Sequence, residues 1–255
     1  MQVAKRSSFG ICELCEARVG KAAMGPHLRK CLAATNGGAR SRVLLLRAQP
    51  AGAPMFWLDI AARPDAKLKD LDGLLRRVWL ECCGHLSEFY GSSHDEVSLT
   101  RKIDEVLGST GSRLGYVYDF GSSTELVVSH SGVIEARPVK GVRLVARNEA
   151  PSWPCDACDQ PATMVCRECA DSGGGFCCDT HALEHPCGED LLLPVVNSPR
   201  MGVCGYTGGA SRRAAPGGRE ADGKRRADRW ADRRGMPARQ DTGAQRAPGN
   251  RPVRL

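Results

Sequence analysis

The chain has 255 residues, with 36 Lys/Arg against 29 Asp/Glu, a formal net charge of +7, and 13 cysteines. That length suffices for one ordinary core with small satellites. No stretch approaches the roughly 18 continuous apolar residues of a membrane span, and no apolar run follows the basic start Met1–Arg6, so neither a membrane anchor nor a secretory leader is predicted.

The charge is unevenly placed. Residues 1–40 carry 7 Lys/Arg and 2 Asp/Glu, residues 206–255 carry 13 and 5, and the body between them carries 16 and 22. The body is acidic and both ends are basic, so a nucleic-acid surface would belong to the ends. A cytoplasmic, reducing location is predicted. There the cysteines read as metal ligands before disulfides.

The first element, residues 8–34, pairs Cys12-x-x-Cys15 with His27-x-x-x-Cys31. Residues four apart on a helix face the same way, so a turn and a helix would present four donors to one zinc. Lys5, Arg6, Arg18, Lys21, Arg29 and Lys30 surround the set, which suits phosphate contact or plain solvation. Pro26 stands directly before His27. Because proline is best tolerated in a first helical turn, the helix is predicted to begin near Gly25, leaving little length for reading a major groove.

A linker over 32–41 leads to a domain over residues 42–148. Val43–Ala48 and Met55–Ala62 are predicted strands joined as a hairpin. Leu68, Leu71, Leu74, Leu75, Val78 and Cys82 have helical periodicity, with Asp65 as a start signal and Gly84 as a stop. Cys82 and Cys83 read as structural thiols, because a metal site with His85 lacks a fourth donor. A helix is predicted over Val97–Leu107. Strands are predicted over Leu114–Phe120, Thr124–Ser129 and Gly141–Arg147, completing an antiparallel sheet.

Residues 152–190 hold Cys155-x-x-Cys158, Cys166-x-x-Cys169, Cys178-x-x-His181 and His185-x-Cys187. Eight donors satisfy two tetrahedral zinc sites. Interleaving would give Cys155, Cys158, Cys178 and His181 one ion and Cys166, Cys169, His185 and Cys187 the other. Sequential pairing is the competing arrangement. Cys177 is the spare. Histidines in register with cysteine pairs argue against a disulfide cluster. Leu191–Val196 within 191–205 is predicted to dock on the main domain, and Cys204 stands alone. Residues 206–255 have too little apolar surface to offset the entropy of ordering and are predicted to be a disordered basic tail.

The ligand spacing over 155–187 resembles B-box and MYND cross-brace modules, which implies a protein-interaction role. A second resemblance lies in the central domain. Trp57-Leu58-Asp59-Ile60, Leu68-x-x-Leu71-Asp72-x-x-Leu75-Arg76-x-x-Trp79, Cys83-Gly84-His85-Leu86-Ser87-x-Phe89 and Tyr118-Asp119-Phe120-Gly121 look like the plasmid Ri ORF-three-like family of insertion-element passenger proteins. The match spans about residues 42–148. It resembles a subgroup with cysteine-rich ends, in which Gly188-Glu189 and Leu193–Asn197 have counterparts. Ser122-Ser123-Thr124 stands where that family often carries a tryptophan. The resemblance implies an α+β fold and brings no catalytic residues.

No zinc-protease helix, nucleophile elbow or Walker loop is present. Ser92-Ser93-His94-Asp95 reads as a surface turn, and no serine-recombinase set of serine and arginines is found. The predicted fold is thus α+β. A central antiparallel sheet with helices is flanked by a Cys-Cys-His-Cys zinc finger and a two-zinc module, and a disordered tail follows. The predicted function is non-enzymatic: a protein with three structural Zn2+ ions, of a mobile-element-associated family, binding nucleic acid non-specifically through its basic ends. The alternatives are a protein-interaction adaptor or an enzyme with a site in the central domain.

Overall fold

The computed structural model describes residues 9–34 and 38–209. The predicted disordered tail lies outside them from residue 210 onward, as do Lys5 and Arg6. The architecture is mostly antiparallel sheet with a few helices. No helix among the described residues is long and apolar enough to cross a membrane.

The centre is strand β3, Ser41–Gln49, in which Val43, Leu44, Leu45 and Leu46 are all buried. Consecutive apolar residues, rather than alternating ones, mean that both faces of this strand are covered. Leu44, Leu46 and Ala48 face one core, which holds helix α2 (Leu68–Leu75). Val43 and Leu45 face the other, which holds helix α1 (Lys21–Ala33). β3 forms the expected hairpin with β4 (Leu58–Ala62), in the register Leu46↔Ile60. Its other neighbour is β8, Thr124–Ala136.

Nine strands pair in the order β2-β1-β9-β4-β3-β8-β7-β5-β6. Here β1 is Phe9–Cys12, β2 Arg18–Gly20, β5 Ser87–Tyr90, β6 Glu96–Val97, β7 Arg113–Tyr118 and β9 Val142–Asn148. The N-terminal hairpin β1–β2 is therefore an edge of the main sheet, since Gly10, Ile11 and Cys12 pair with Asn148, Arg147 and Ala146. Where β9 bulges at Val145, its carbonyl accepts the Glu13 amide at 2.8 Å. At Gly10 a Cβ would lie 2.4 Å from the Trp57 ring, so the strand can cross that buried tryptophan only as glycine.

Helix α1 departs from expectation. It begins at Lys21, and Pro26 sits inside it. An interior proline costs about 3 kcal/mol. Met24, Leu28 and Leu32 are buried on the same helix, and each such side chain contributes roughly 1.5–3 kcal/mol. Their sum exceeds the proline's cost, so packing overrides the local preference.

Helix α2 continues from Leu75 into a π-helical turn, Arg76–Leu80, closed by the Glu81 amide on the Arg76 carbonyl at 2.8 Å. The turn buries Val78, Trp79 and Leu80 in succession, and the chain leaves it extended into Cys82 and Cys83. The start signal is Asp70, whose carboxylate accepts the Lys67 amide; Asp65 instead pairs with Arg63. The helix expected over 97–107 shrinks to α3, Ile103–Leu107, because Val97 is drawn into β6 opposite Phe89.

A small sheet, β11-β10-β12, is built from Met164–Cys166 (β10), Phe176–Cys177 (β11) and Leu192–Pro194 (β12). The apolar strip expected to reach the main domain thus pairs with β10 instead. The residues after it make the docking contacts. Asn197 exchanges hydrogen bonds with Asn148, and Ser198 Oγ donates to the Trp79 carbonyl at 2.6 Å.

Candidate metal centres

Zinc–sulfur bonds of about 2.3 Å and zinc–nitrogen bonds of about 2.0–2.1 Å place the donors of a tetrahedral site roughly 3.5–3.8 Å apart. Among the described residues, four Cys/His groups bring their donor atoms within 4.8 Å of one another.

The first is Cys12, Cys15, His27 and Cys31. Cys12 ends β1, and Cys15 lies in the turn that follows, where Glu16 adopts φ 62°. The Glu16 amide donates to the Cys12 carbonyl, which curls the turn and aims both sulfurs at α1. His27 and Cys31 lie one turn apart on α1. Cys15 Sγ and Cys31 Sγ are 3.5 Å apart, and each is 3.3 Å from His27 Nε2. The Ala17 amide holds the Cys15 thiol below its usual range, whereas burial and the neighbouring Cys15 push Cys31 up to about 12. Crowded thiols resist ionising together, and a divalent cation removes that conflict.

The second group is Cys155, Cys158, Cys178 and His181, and the third is Cys166, Cys169, His185 and Cys187. The chain order is therefore interleaved. His181 Nδ1 lies 3.5 Å from Cys155 Sγ, 3.5 Å from Cys158 Sγ and 3.3 Å from Cys178 Sγ. Cys178 precedes α5 (Asp179–Ala182), which carries His181. Cys166 precedes α4 (Arg167–Ala170), which carries Cys169. Cys169 Sγ is 3.6 Å from His185 Nε2 and 3.7 Å from Cys187 Sγ. Cys177 belongs to neither group, but its sulfur lies 3.6 Å from His185 Nδ1, behind the ring. Asp156 joins the two groups, its carboxylate accepting the Gly175 and Phe176 amides. Gly175 sits at φ +85°, and a Cβ there would lie 2.6 Å from the Cys169 Cβ.

The fourth group is Cys82, Cys83, His85 and Cys204. The sequence offers Cys82, Cys83 and His85 as a set one donor short, and Cys204 as isolated. The fold supplies the missing donor from 119 residues beyond His85. Cys83 Sγ is 3.8 Å from Cys82 Sγ, 3.7 Å from Cys204 Sγ and 2.9 Å from His85 Nε2, and Cys204 Sγ is 3.6 Å from His85 Nε2. The hydrogen bond from His85 is the main influence that lowers the Cys204 thiol to about 7. No local spacing announces this group; the only sequence signal is a surplus of cysteines near a histidine.

The basic residues around the first group are largely committed. Arg18 forms a two-point ion pair with Glu149, Lys21 Nζ donates to the Pro54 carbonyl, and Arg29 donates to the Val133 and Ser131 carbonyls. Lys30 is exposed. The α1 face that carries Met24, Leu28 and Leu32 is packed against the sheet, which reserves that face for the core rather than for a groove.

An open depression of about 550 Å³ is lined by Asp72, Arg76, Arg77 and Glu81. Asp72 accepts the Tyr116 hydroxyl at 2.8 Å and the Ser87 hydroxyl at 2.6 Å. Glu81 accepts from Arg76, the Gly84 amide and Tyr118. Asp119 is bonded to Arg200, and buried His130 has its Nε2 2.9 Å from the Gly132 carbonyl oxygen.

No family model matches the chain, and no curated protein matches it. Among solved structures, it is similar to the crystal structure of a protein of unknown function from Methanosarcina mazei Go1. The TM-score is 0.35 and the identity 19%, covering 45% of this chain and 71% of that one.

Proposed function

We propose that this chain is a non-enzymatic zinc-binding protein whose ions are structural, serving as an interaction adaptor with a protein partner. The observation that carries the reading is ligand closure. Cys12/Cys15/His27/Cys31, Cys155/Cys158/Cys178/His181 and Cys166/Cys169/His185/Cys187 each offer four protein donors to one point. A catalytic zinc keeps a position for water, whereas a structural one is closed. Thiolate and imidazole donors favour zinc over the hard cations. The layout is a Cys-Cys-His-Cys finger fused to the sheet edge and a cross-braced pair of zincs after it.

Zinc replaces a core that the short segments of the cross-brace lack. The helices of the cross-brace, α4 and α5, are four residues each, too short to persist alone. Ion binding there is folding free energy.

A protein partner is supported by two observations. Arg18, Lys21 and Arg29 are engaged within the chain. Leu183, 67% exposed just after α5, and the neighbours Leu86 and Phe120, 72% and 56% exposed, offer apolar contact. The carboxylates around the depression already have partners, which supports a role without catalysis. A second reading, non-specific binding of nucleic acid, is favoured by the 13 Lys/Arg against 5 Asp/Glu in residues 206–255. The mobile-element association follows the resemblance of the Trp57–Ile60 and Tyr118–Gly121 blocks.

Metal analysis of the purified full chain tests the structural reading. At least three zinc ions per chain are expected, and fewer than two would overturn it. Gel-shift titration at two salt concentrations tests the partner class. Little retardation supports the adaptor, whereas binding that weakens steeply with salt establishes phosphate contact.

A further inference from the structure

We propose that Cys82, Cys83, His85 and Cys204 bind a fourth zinc ion, which clasps residues 198–209 onto the central domain. The inference goes beyond the three-site reading and does not depend on it.

The geometry carries the site. The four donors come from the exit of the π-helical turn, the loop before β5 and a segment after the small sheet. Three of the donor separations, 3.8, 3.7 and 3.6 Å, match the edges of a zinc tetrahedron of about 3.5–3.8 Å. Two residues hold backbone conformations that bring the donors in. Gly84 is at φ +83°, which lets the chain fold back between Cys83 and His85. Cys204 is at φ 55°, uncommon for a residue with a side chain.

The neighbouring charges accommodate it. Three thiolates and one imidazole on Zn2+ leave a net charge of −1, and Asp119 Oδ2 lies 3.5 Å from His85 Nε2. The guanidinium of Arg200, wholly buried, pairs with Asp119 at 2.6 Å and neutralises that carboxylate beside the ligand set. Three sulfurs and a ring nitrogen are soft donors that select zinc over magnesium or calcium.

The clasp has something to hold. Residues 198–209 form no helix or strand, yet they carry Ser198, Arg200 and Tyr206, all at 1% exposure or less. A segment without a ladder of its own loses chain entropy when it docks. A metal bond at Cys204 offsets that loss, fixing the middle of the segment to residues 82–85.

The test compares zinc content in the full chain and in Cys204→Ser, purified under reducing conditions. The expected result is one zinc fewer in the variant, with trypsin newly cutting after Arg200. His85→Cys, which keeps four donors, is expected to retain the wild-type count. Equal zinc in wild type and Cys204→Ser would overturn the proposal. So would a disulfide between Cys83 and Cys204, read as two thiols blocked to alkylation after unfolding without reductant. If Cys204→Ser does not fold, the wild-type chain decides: zinc is expected to protect Cys83 and Cys204 from alkylation, and equal labelling with and without zinc overturns the site. A wild-type count of one, falling to none in the variant, overturns the three-site reading and leaves this one standing.

Discussion

Arg200 donates Nη2 to Asp119 Oδ2 at 2.6 Å, with none of the arginine side chain exposed. Its Nη1 reaches the Ser122 carbonyl and Thr124 Oγ1, so the guanidinium pins one end of β8 and the turn before it to the segment after the small sheet. Breaking such a pair from one side leaves a buried charge uncompensated. Arg200→Met is therefore expected to cost about 3–5 kcal/mol. Urea unfolding at fixed free zinc measures it.

The same pair sets an acid dependence. Burial opposes ionisation of Asp119, but Arg200 and the Gly121 and Ser122 amides outweigh it and hold the carboxyl below its usual range. A folded value below the unfolded one means the stabilisation is complete above the unfolded value and fades as pH falls through the folded one. Asp119→Asn should flatten that acid limb in unfolding curves recorded from neutral pH downward.

Interleaving couples the two groups of the cross-brace. Cys178, a proposed ligand, lies between Cys169 and His185 in the chain, so freeing one group loosens the connection on which the other depends. Cys178→Ser is expected to lower zinc affinity at the Cys166/Cys169/His185/Cys187 group as well. Trp153 stacks on Phe176 with ring centroids 4.6 Å apart and reports on this module. Chelation should shift its fluorescence to longer wavelength, in a single step for both ions.

Gly175→Ala tests the turn between them. The left-handed conformation costs a residue with a Cβ roughly 1–2 kcal/mol, and the overlap with Cys169 adds to it. At least a roughly tenfold weaker zinc affinity is expected from that energy, read by competition with a chromogenic chelator.

Cys177→Ala is the control. Its sulfur stands behind His185 rather than among the four donors, so zinc stoichiometry should stay at the wild-type value.

The sequence was informative where donors recur at short intervals. Cys155-x-x-Cys158 and its companions needed only a tight turn each, and β3, β4, β7, β8 and β9 announced themselves through apolar runs. It was silent about Cys204, because nothing local ties that residue to His85; only the fold closes the loop. Pro26 misled for a related reason. The local cost of proline is visible in sequence, but the core that outweighs it, Met24, Leu28 and Leu32 against Val43, Leu45 and Trp57, exists only after folding. Val97 misled likewise, since a residue with helical neighbours was taken by a strand partner, Phe89.

The pairing of Gly10–Cys12 with Ala146–Asn148 gives the proposed N-terminal ligands a wider responsibility. If Cys12 and Cys15 lost their ion and that hairpin peeled away, the outward backbone of residues 146–148 would be bare, and an uncovered strand margin recruits other chains. Starvation for zinc would then show itself as self-association before it showed itself as unfolding.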